Sequence, residues 1–110
     1  MSERLGDGRL TRLADCFKGL AEPARLRILY TLGRGEMTVS RLIEATGLGQ
    51  ANVSKHLQVL RAAGFVERRK EGLFVYYSLS DGDVLQLCDL VSRRVERQAE
   101  ADLRAFPKGA

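Results

Sequence analysis

The residues best suited to recognising another molecule lie close together in the middle of the chain. Small and polar types occupy the start of one segment: Gln50, Ala51, Asn52, Ser54, Lys55 and His56. Glutamine and asparagine amides can pair with adenine, a lysine can donate to guanine, and an alanine methyl can contact the thymine methyl. This combination of types is suited to reading the edges of base pairs in double-stranded DNA.

A run of three cations follows, formed by Arg68, Arg69 and Lys70. Such side chains bind phosphate oxygens and carry no base preference of their own. Between residues 49 and 78 the chain has five basic and two acidic residues, a balance of +3 out of a net +4 for the whole chain. A charged run on a turn is usually only solvated. Its position after the polar segment makes it a candidate phosphate contact.

Two cysteines, Cys16 and Cys88, carry the remaining reactive groups. They are too few for a disulfide framework, and both lie among apolar residues at helical spacing, as buried structural cysteines often do. The alternative is that they form a thiol switch responding to redox change, persulfide or a thiophilic metalloid. The sequence leaves both interpretations open.

The elements that position the polar segment are predicted to be a helix-turn-helix. Thr38 is a suitable N-cap for a helix over residues 39–46. A second helix opens at Gly49 or Gln50 and stops near Gly64, so the polar segment forms its first turns. In such a pair the second helix lies in the major groove of DNA.

A β-hairpin is predicted directly after this second helix. Residues 65–69 and 74–79 are rich in strand-forming types, and Lys70, Glu71 and Gly72 are predicted to form the turn between them. A helix-turn-helix followed by a basic hairpin is typical of a winged helix. The predicted fold class is therefore mainly α, with four helices, a β-hairpin wing and a fifth helix.

The first and last helices carry apolar stripes that this small domain cannot fully cover. The first runs over residues 10–19, and the last has about twenty residues, opened by a capping box of Ser80 and Asp83. A second copy of the chain is the expected cover, which gives a homodimer. Its predicted interface residues are Leu10, Leu13, Phe17, Val84, Leu87, Val91 and Val95.

Length and composition set the remaining expectations. The 110 residues predict one domain over residues 10–104, with a flexible arm at 1–9 and a tail at 105–110. No apolar run approaches the ~18 residues of a membrane span. We expect a cytoplasmic protein without a membrane partner. With no phosphate loop, nucleophile elbow or ligand cluster, no catalytic residue and no cofactor are predicted.

Three ordered motifs resemble the ArsR/SmtB family of bacterial repressors. They are FKGLAEPARLRIL at residues 17–29, VSKHLQVLRAAGFV at 53–66 and VYYSL at 75–79. The resemblance implies a winged-helix homodimer that is joined through its first and last helices. It also implies binding to a palindromic operator and release by an inducer.

The metal sites of that family do not match this sequence. A Cys-x-Cys site would fall on Thr38 and Ser40, whose neutral hydroxyls are poor ligands for soft metals. The residues matching a zinc-type site on the last helix are Asp81, Asp83, Arg94 and Arg97. Arginine cannot ligate a cation, so no metal is predicted.

Two alternatives stay open. The regulator could be independent of a ligand or respond to an organic ligand, with purely structural cysteines in place of a thiol-reactive inducer. A winged helix used only as a protein adaptor is the other class, although an adaptor need not keep a polar, basic second helix.

Overall fold

The computed structural model describes residues 6–105, which fold into five helices and three strands as a winged helix. The elements are α1 (Asp7–Leu20), α2 (Pro23–Leu32), β1 (Met37–Thr38), α3 (Val39–Thr46), α4 (Gln50–Ala62), β2 (Val66–Glu71), β3 (Phe74–Leu79) and α5 (Asp83–Ala105). The predicted fold class is confirmed.

Helix α1 begins three residues earlier than predicted. Asp7 opens the helix, so residues 7–9 are helical and the prediction that they belong to a flexible arm is wrong. Gly6 is the N-cap and accepts from the amide of Leu10, while Thr11 Oγ1 donates to the carbonyl of Asp7 at 3.0 Å. The carboxylate of Asp7 also suits the positive end of the helix dipole. The rest of the arm and residues 106–110 of the tail lie outside the described residues.

The helix-turn-helix has the boundaries that its capping residues predict. Thr38 Oγ1 accepts a hydrogen bond from the amide of Arg41 at 3.2 Å and so caps α3. Gly47 ends α3 with φ of +74°, a conformation that favours glycine. Gly49 is the N-cap of α4, and Gly64, at φ +86°, follows that helix.

The sheet has three strands in the order β1-β3-β2, all antiparallel. The hairpin pairs Val66 with Leu79 and Glu71 with Phe74, so the turn is Gly72 and Leu73. The predicted turn was placed two residues too early, because the ladder continues through two charged residues on β2. Strand β1 was not predicted, because it is only two residues long and forms by pairing with β3.

A single core joins α2, α3, α4 and the sheet. Its buried apolar members are Leu20, Ile28, Leu29, Leu32, Leu42, Val53, Leu57, Leu60, Val66 and Val84. Helix α5 contributes one fully buried residue to this core, Val84, and packs Leu85, Leu87 and Cys88 against it as half-buried side chains. At its start Asp81 Oδ1 accepts from the amide of Asp83 at 2.9 Å. The capping residue is thus Asp81, and the predicted box of Ser80 and Asp83 is wrong.

Beyond its first turns, α5 extends away from the core. From Asp89 to the end of the described chain every residue of α5 is exposed. The radius of gyration is 17.4 Å, whereas a compact domain of this length would have about 13 Å. Within residues 6–105 no helix combines the length and apolar character that crossing a membrane requires.

Candidate nucleic-acid interface

The outer face of α4 presents five of the six predicted base-reading residues. Its buried face carries Val53, Leu57 and Leu60, which hold the helix on the core. The exposed set is Gln50, Ala51, Asn52, Ser54 and Lys55. These side chains are accessible at the N-terminal half of the helix, as a major-groove contact requires.

His56 does not belong to this exposed set. Its side chain is buried, with 8% exposed, and its Nδ1 lies 3.3 Å from Nη1 of Arg25 on α2. The prediction that His56 reads bases is therefore wrong. It follows Lys55 directly, but a step of one residue turns the side chain by about 100° around the helix axis. That step carries it from the outer face to the core.

A polar groove of about 430 Å³ runs between α4 and the sheet. It is lined by Ala51, Ser54, Lys55, Gln58, Arg61, Arg68 and Tyr77. The groove therefore joins the exposed face of α4 to one basic residue of the wing. Sequence reasoning did not assign Gln58 or Tyr77 to this site. Gln58 could have been predicted, because it lies four residues after Ser54 and therefore on the same face of the helix.

The three consecutive cations of the wing do not share one face. Side chains alternate along a strand, and Arg68 is paired with Tyr77 across the hairpin while Arg69 is paired with Tyr76. Arg68 and Lys70 therefore lie on the face that includes the polar groove. Arg69 lies on the opposite face together with Glu67 and Glu71.

Arg69 is engaged by two carboxylates of its own chain. Its Nη2 and Nε donate to Glu36 at 2.7 and 3.1 Å, and its Nη1 donates to Glu71. The guanidinium carbon also lies 4.7 Å from the ring centre of Tyr76. Hydrogen bonds to Glu36 and then to Glu71 raise the pKa of Arg69, and the bond from Arg69 lowers the pKa of Glu36. The predicted phosphate contact by Arg69 conflicts with this arrangement, since both carboxylates offset its charge.

A second surface, which we call the apolar groove, lies between α1, α2 and α5. It has a volume of about 400 Å³. Its lining residues are Phe17, Leu20, Ala21, Leu26, Tyr30, Leu87, Cys88, Val91, Ser92 and Val95. The apolar stripes of the first and last helices are thus continuous in space.

Most of the predicted interface residues are accessible on this side of the molecule. The exposed members are Leu10, Leu13, Phe17, Val91 and Val95. Leu87 is half-buried against the core. Val84 is only 5% exposed and belongs to the core of its own chain, so the prediction that it forms an interface is wrong.

The two cysteines are free thiols and both are half-buried. Cys88 lines the apolar groove, while Cys16 is not among its lining residues. Burial, and then the negative charge of Asp89, raises the pKa of the Cys88 thiol. A raised pKa lowers the thiolate fraction, which is the nucleophilic form. Nearby, Tyr30 donates to Asp89 Oδ1 at 2.9 Å, and burial followed by that bond raises the pKa of Tyr30 to about 12.

The positions of the family metal sites have other roles here. Thr38 caps α3 and Asp81 caps α5, while Arg94 and Arg97 are exposed cations. Across residues 6–105 no group of three or more histidine, cysteine or acidic side chains could hold a metal ion.

Comparison with known proteins gives a consistent set of similarities. The model of the family "Bacterial regulatory protein, arsR family" matches residues 22–68. The "Transcriptional repressor SmtB homolog" of Synechocystis sp. is 40% identical over 76 residues, covering 69% of this chain and 58% of that protein. The "Biofilm growth-associated repressor" of Xylella fastidiosa is 37% identical over 79 residues, covering 72% and 69%.

Solved structures agree with this similarity. The solution structure of the homodimeric winged helix-turn-helix DNA-binding domain Mb0332 from Mycobacterium bovis superimposes with a TM-score of 0.74. It is 37% identical, and the match covers 84% of this chain and 85% of that domain.

Proposed function

This chain belongs to the ArsR family of bacterial regulatory proteins, and we propose that it is a homodimeric repressor that binds operator DNA. One observation carries the proposal. The exposed polar face of α4 and Arg68 of the wing line a single groove, which also contains Lys55 and Arg61. Base-reading and phosphate-binding groups therefore adjoin each other on one surface.

The proposed contacts divide by chemistry. Base choice comes from the exposed residues at the start of α4, namely Gln50, Ala51, Asn52, Ser54 and Lys55. Affinity comes mainly from cations that reach the phosphates, as in most DNA-binding proteins. On this surface those cations are Arg61, Arg68 and Lys70, and the sequence-based assignment of Arg69 is replaced by Arg61.

Dimerisation follows from the surface on the other side of the molecule. Phe17, Val91 and Val95 are exposed around the apolar groove, and a second copy would bury them. The relative from Mycobacterium bovis is described as homodimeric. A dimer presents two α4 helices about one turn of DNA apart, ~34 Å, which calls for a palindromic operator. This role places the protein in the cytoplasm with the chromosome.

For the two cysteines we propose a structural role, one of the alternatives that the sequence leaves open. Both are half-buried, and burial raises the pKa of Cys88, which disfavours attack by this thiol on an oxidant or persulfide. Control of the repressor then requires either an organic inducer or no inducer. An adaptor function is less well supported, because an adaptor has no need of the basic groove.

Fluorescence anisotropy with the DNA upstream of the protein's own gene tests the proposal. Duplexes of about 30 base pairs suffice for two half-sites one helical turn apart. We expect one duplex to bind more tightly than its shuffled sequence, with an affinity that falls steeply with salt. Gln50→Ala should relax the preference for the correct duplex. Absence of binding to every duplex, including shuffled DNA at low salt, would leave the adaptor as the remaining class.

A further inference from the structure

One side chain, Arg25 of α2, connects three helices. Its Nε donates to the carbonyl of Gly19 at 2.7 Å and its Nη2 to the carbonyl of Lys18 at 3.2 Å. Its Nη1 lies 3.3 Å from Nδ1 of His56. The first two contacts reach the last turn of α1, and the third reaches the buried face of α4.

The contact with Gly19 satisfies a carbonyl that α1 leaves unpaired, whereas the carbonyl of Lys18 also accepts from the amide of Ala21 at 3.2 Å. The last turn of a helix has four carbonyl groups without an internal partner. Packing at this point is close, since a Cβ built on Gly19 would lie only 3.2 Å from the Cβ of Ala63, just after α4. The end of α1 is therefore held against the end of α4 while Arg25 bonds to both helices.

The contact with α4 determines which nitrogen of the imidazole is the acceptor. A guanidinium has only donors, so His56 Nδ1 must carry a lone pair and the ring proton must lie on Nε2. The other buried side chains of α4 are Val53, Leu57 and Leu60. Apolar packing is non-directional, whereas a hydrogen bond requires one alignment of donor and acceptor. His56 thus supplies a directional contact on the face that sets the rotation of α4.

We propose that Arg25 and His56 are positioning residues that set the rotation of α4 and link it to the end of α1. The inference rests on the proposed DNA binding. Neither side chain touches DNA in this arrangement. They determine which side of α4 faces outward, and hence where Gln50 and Asn52 meet the base edges. Because α1 also borders the apolar groove, the same pair connects the dimer side of the molecule to its DNA side.

Three variants test the pair by anisotropy on the duplex that wild type prefers. His56→Leu removes the acceptor, and Arg25→Lys keeps the charge but cannot reach both carbonyls and the ring. We expect each to bind roughly tenfold more weakly. His56→Asn places an amide oxygen where Nδ1 stood and should recover most of that loss. Thr31→Val is the matched control, since Thr31 is a buried polar residue that bonds within α2.

Each variant is measured at a temperature where circular dichroism and a melting curve show it to be folded. The proposal requires Thr31→Val to leave the affinity of the folded protein unchanged, whatever its effect on the melting temperature. Equal affinities for wild type, His56→Leu and Arg25→Lys would overturn it. If His56→Leu does not fold, the affinity of Arg25→Lys compared with that of wild type decides the outcome. Failure of wild type to bind any duplex would instead count against the proposed function.

The single histidine of the chain gives a second readout. Nitrogen-15 NMR of the imidazole should show a protonated Nε2 and a lone pair on Nδ1 in wild type. In Arg25→Lys the two tautomers should mix. A proton on Nδ1 in the wild-type protein would overturn the assignment, because that nitrogen could not then accept from Arg25.

Discussion

The surface formed by α4 and the wing differs from the surface formed by α1 and α5 in what lies beneath it. Under α4, Leu57 and Leu60 are almost completely buried by residues of the same chain. Along α5, Val91 and Val95 remain 50% and 61% exposed. The first surface is polar and its core is complete. The second is apolar, and nothing within the described chain covers it.

This difference matches the two proposed roles, since DNA is contacted by residues of each chain and dimerisation requires a second copy. A recognition surface must keep its shape before DNA arrives, and its residues are therefore mounted on a closed core. An oligomer surface keeps apolar side chains exposed until a partner buries them. We expect substitutions on the two sides to differ in whether their effect depends on protein concentration.

The largest effect is expected from charges placed in the apolar groove. The double substitution Val91→Glu with Val95→Glu would bury carboxylates in the proposed interface and should convert the dimer to monomers. DNA affinity should fall on the order of 100-fold, because the two half-sites would no longer be linked. Sedimentation and anisotropy measure the two effects.

Gln86→Glu is the control for that experiment, because it adds the same group at an exposed position of α5 that does not line the groove. It should leave both the mass and the affinity unchanged. A dimer of full affinity in the double variant would refute the placement of the interface.

The next largest effect is expected beneath α4. Leu57 is 1% exposed, so Leu57→Ala should lower the free energy of unfolding by about 2–5 kcal/mol through lost burial and a residual cavity. Urea unfolding at several protein concentrations measures it. Leu73→Ala is the same change at the exposed hairpin turn and should stay within about 0.5 kcal/mol. Equal losses in the free energy of unfolding for Leu57→Ala and Leu73→Ala would contradict the burial of Leu57 in the core.

A smaller effect distinguishes the two faces of the wing. Arg68→Gln should weaken binding to all duplexes several-fold and reduce the slope of log affinity against log salt by about two, one for each protomer of the proposed dimer. Arg69→Gln should leave that slope unchanged, since Glu36 and Glu71 already offset the charge of Arg69. Anisotropy across a salt series compares them. Equal losses of slope would mean that Arg69 leaves its carboxylates to bind phosphate.

The smallest effect is expected at the cysteines. Cys16→Ser and Cys88→Ser should bind DNA within about twofold of wild type. A mild oxidant or a polysulfide should not release wild type from DNA. Alkylation of Cys88 should be slow at neutral pH and accelerate as pH rises, because burial raises its thiol pKa. Oxidative release of wild type, but not of the serine variants, would restore the thiol switch.

The features that sequence predicted well are those determined by neighbouring residues. Thr38 caps α3 through the amide of Arg41, three residues later, and Gly47 ends the same helix by its own backbone conformation. Two segments rich in strand-forming residues, at 65–69 and 74–79, likewise indicated the hairpin. Because such signals lie within a few residues of one another, they can be recognised in the sequence without knowledge of the tertiary structure.

The features that sequence missed depend on contacts between distant segments. Strand β1 exists because it pairs with β3, some forty residues along the chain. In the sequence Arg69 is equivalent to its neighbour Arg68. In the fold only Arg69 bonds to Glu36, which is 33 residues away in sequence. The sequence placed His56 on the recognition face, whereas in the fold it contacts Arg25, which is 31 residues away in sequence.

By itself, the sequence determined the order of the helices and the hairpin, the caps of α3, the winged helix and the types of group on the proposed DNA-binding surface. Only the tertiary structure decided which of those groups are available. It removed Arg69 and His56 from the predicted DNA-binding set, because Arg69 bonds to Glu36 and His56 contacts Arg25. It buried Val84 in the core. It also joined α1 and α5 into one uncovered surface. The reason is physical. Residue type determines what a side chain can bond to, whereas tertiary packing determines which partner lies next to it.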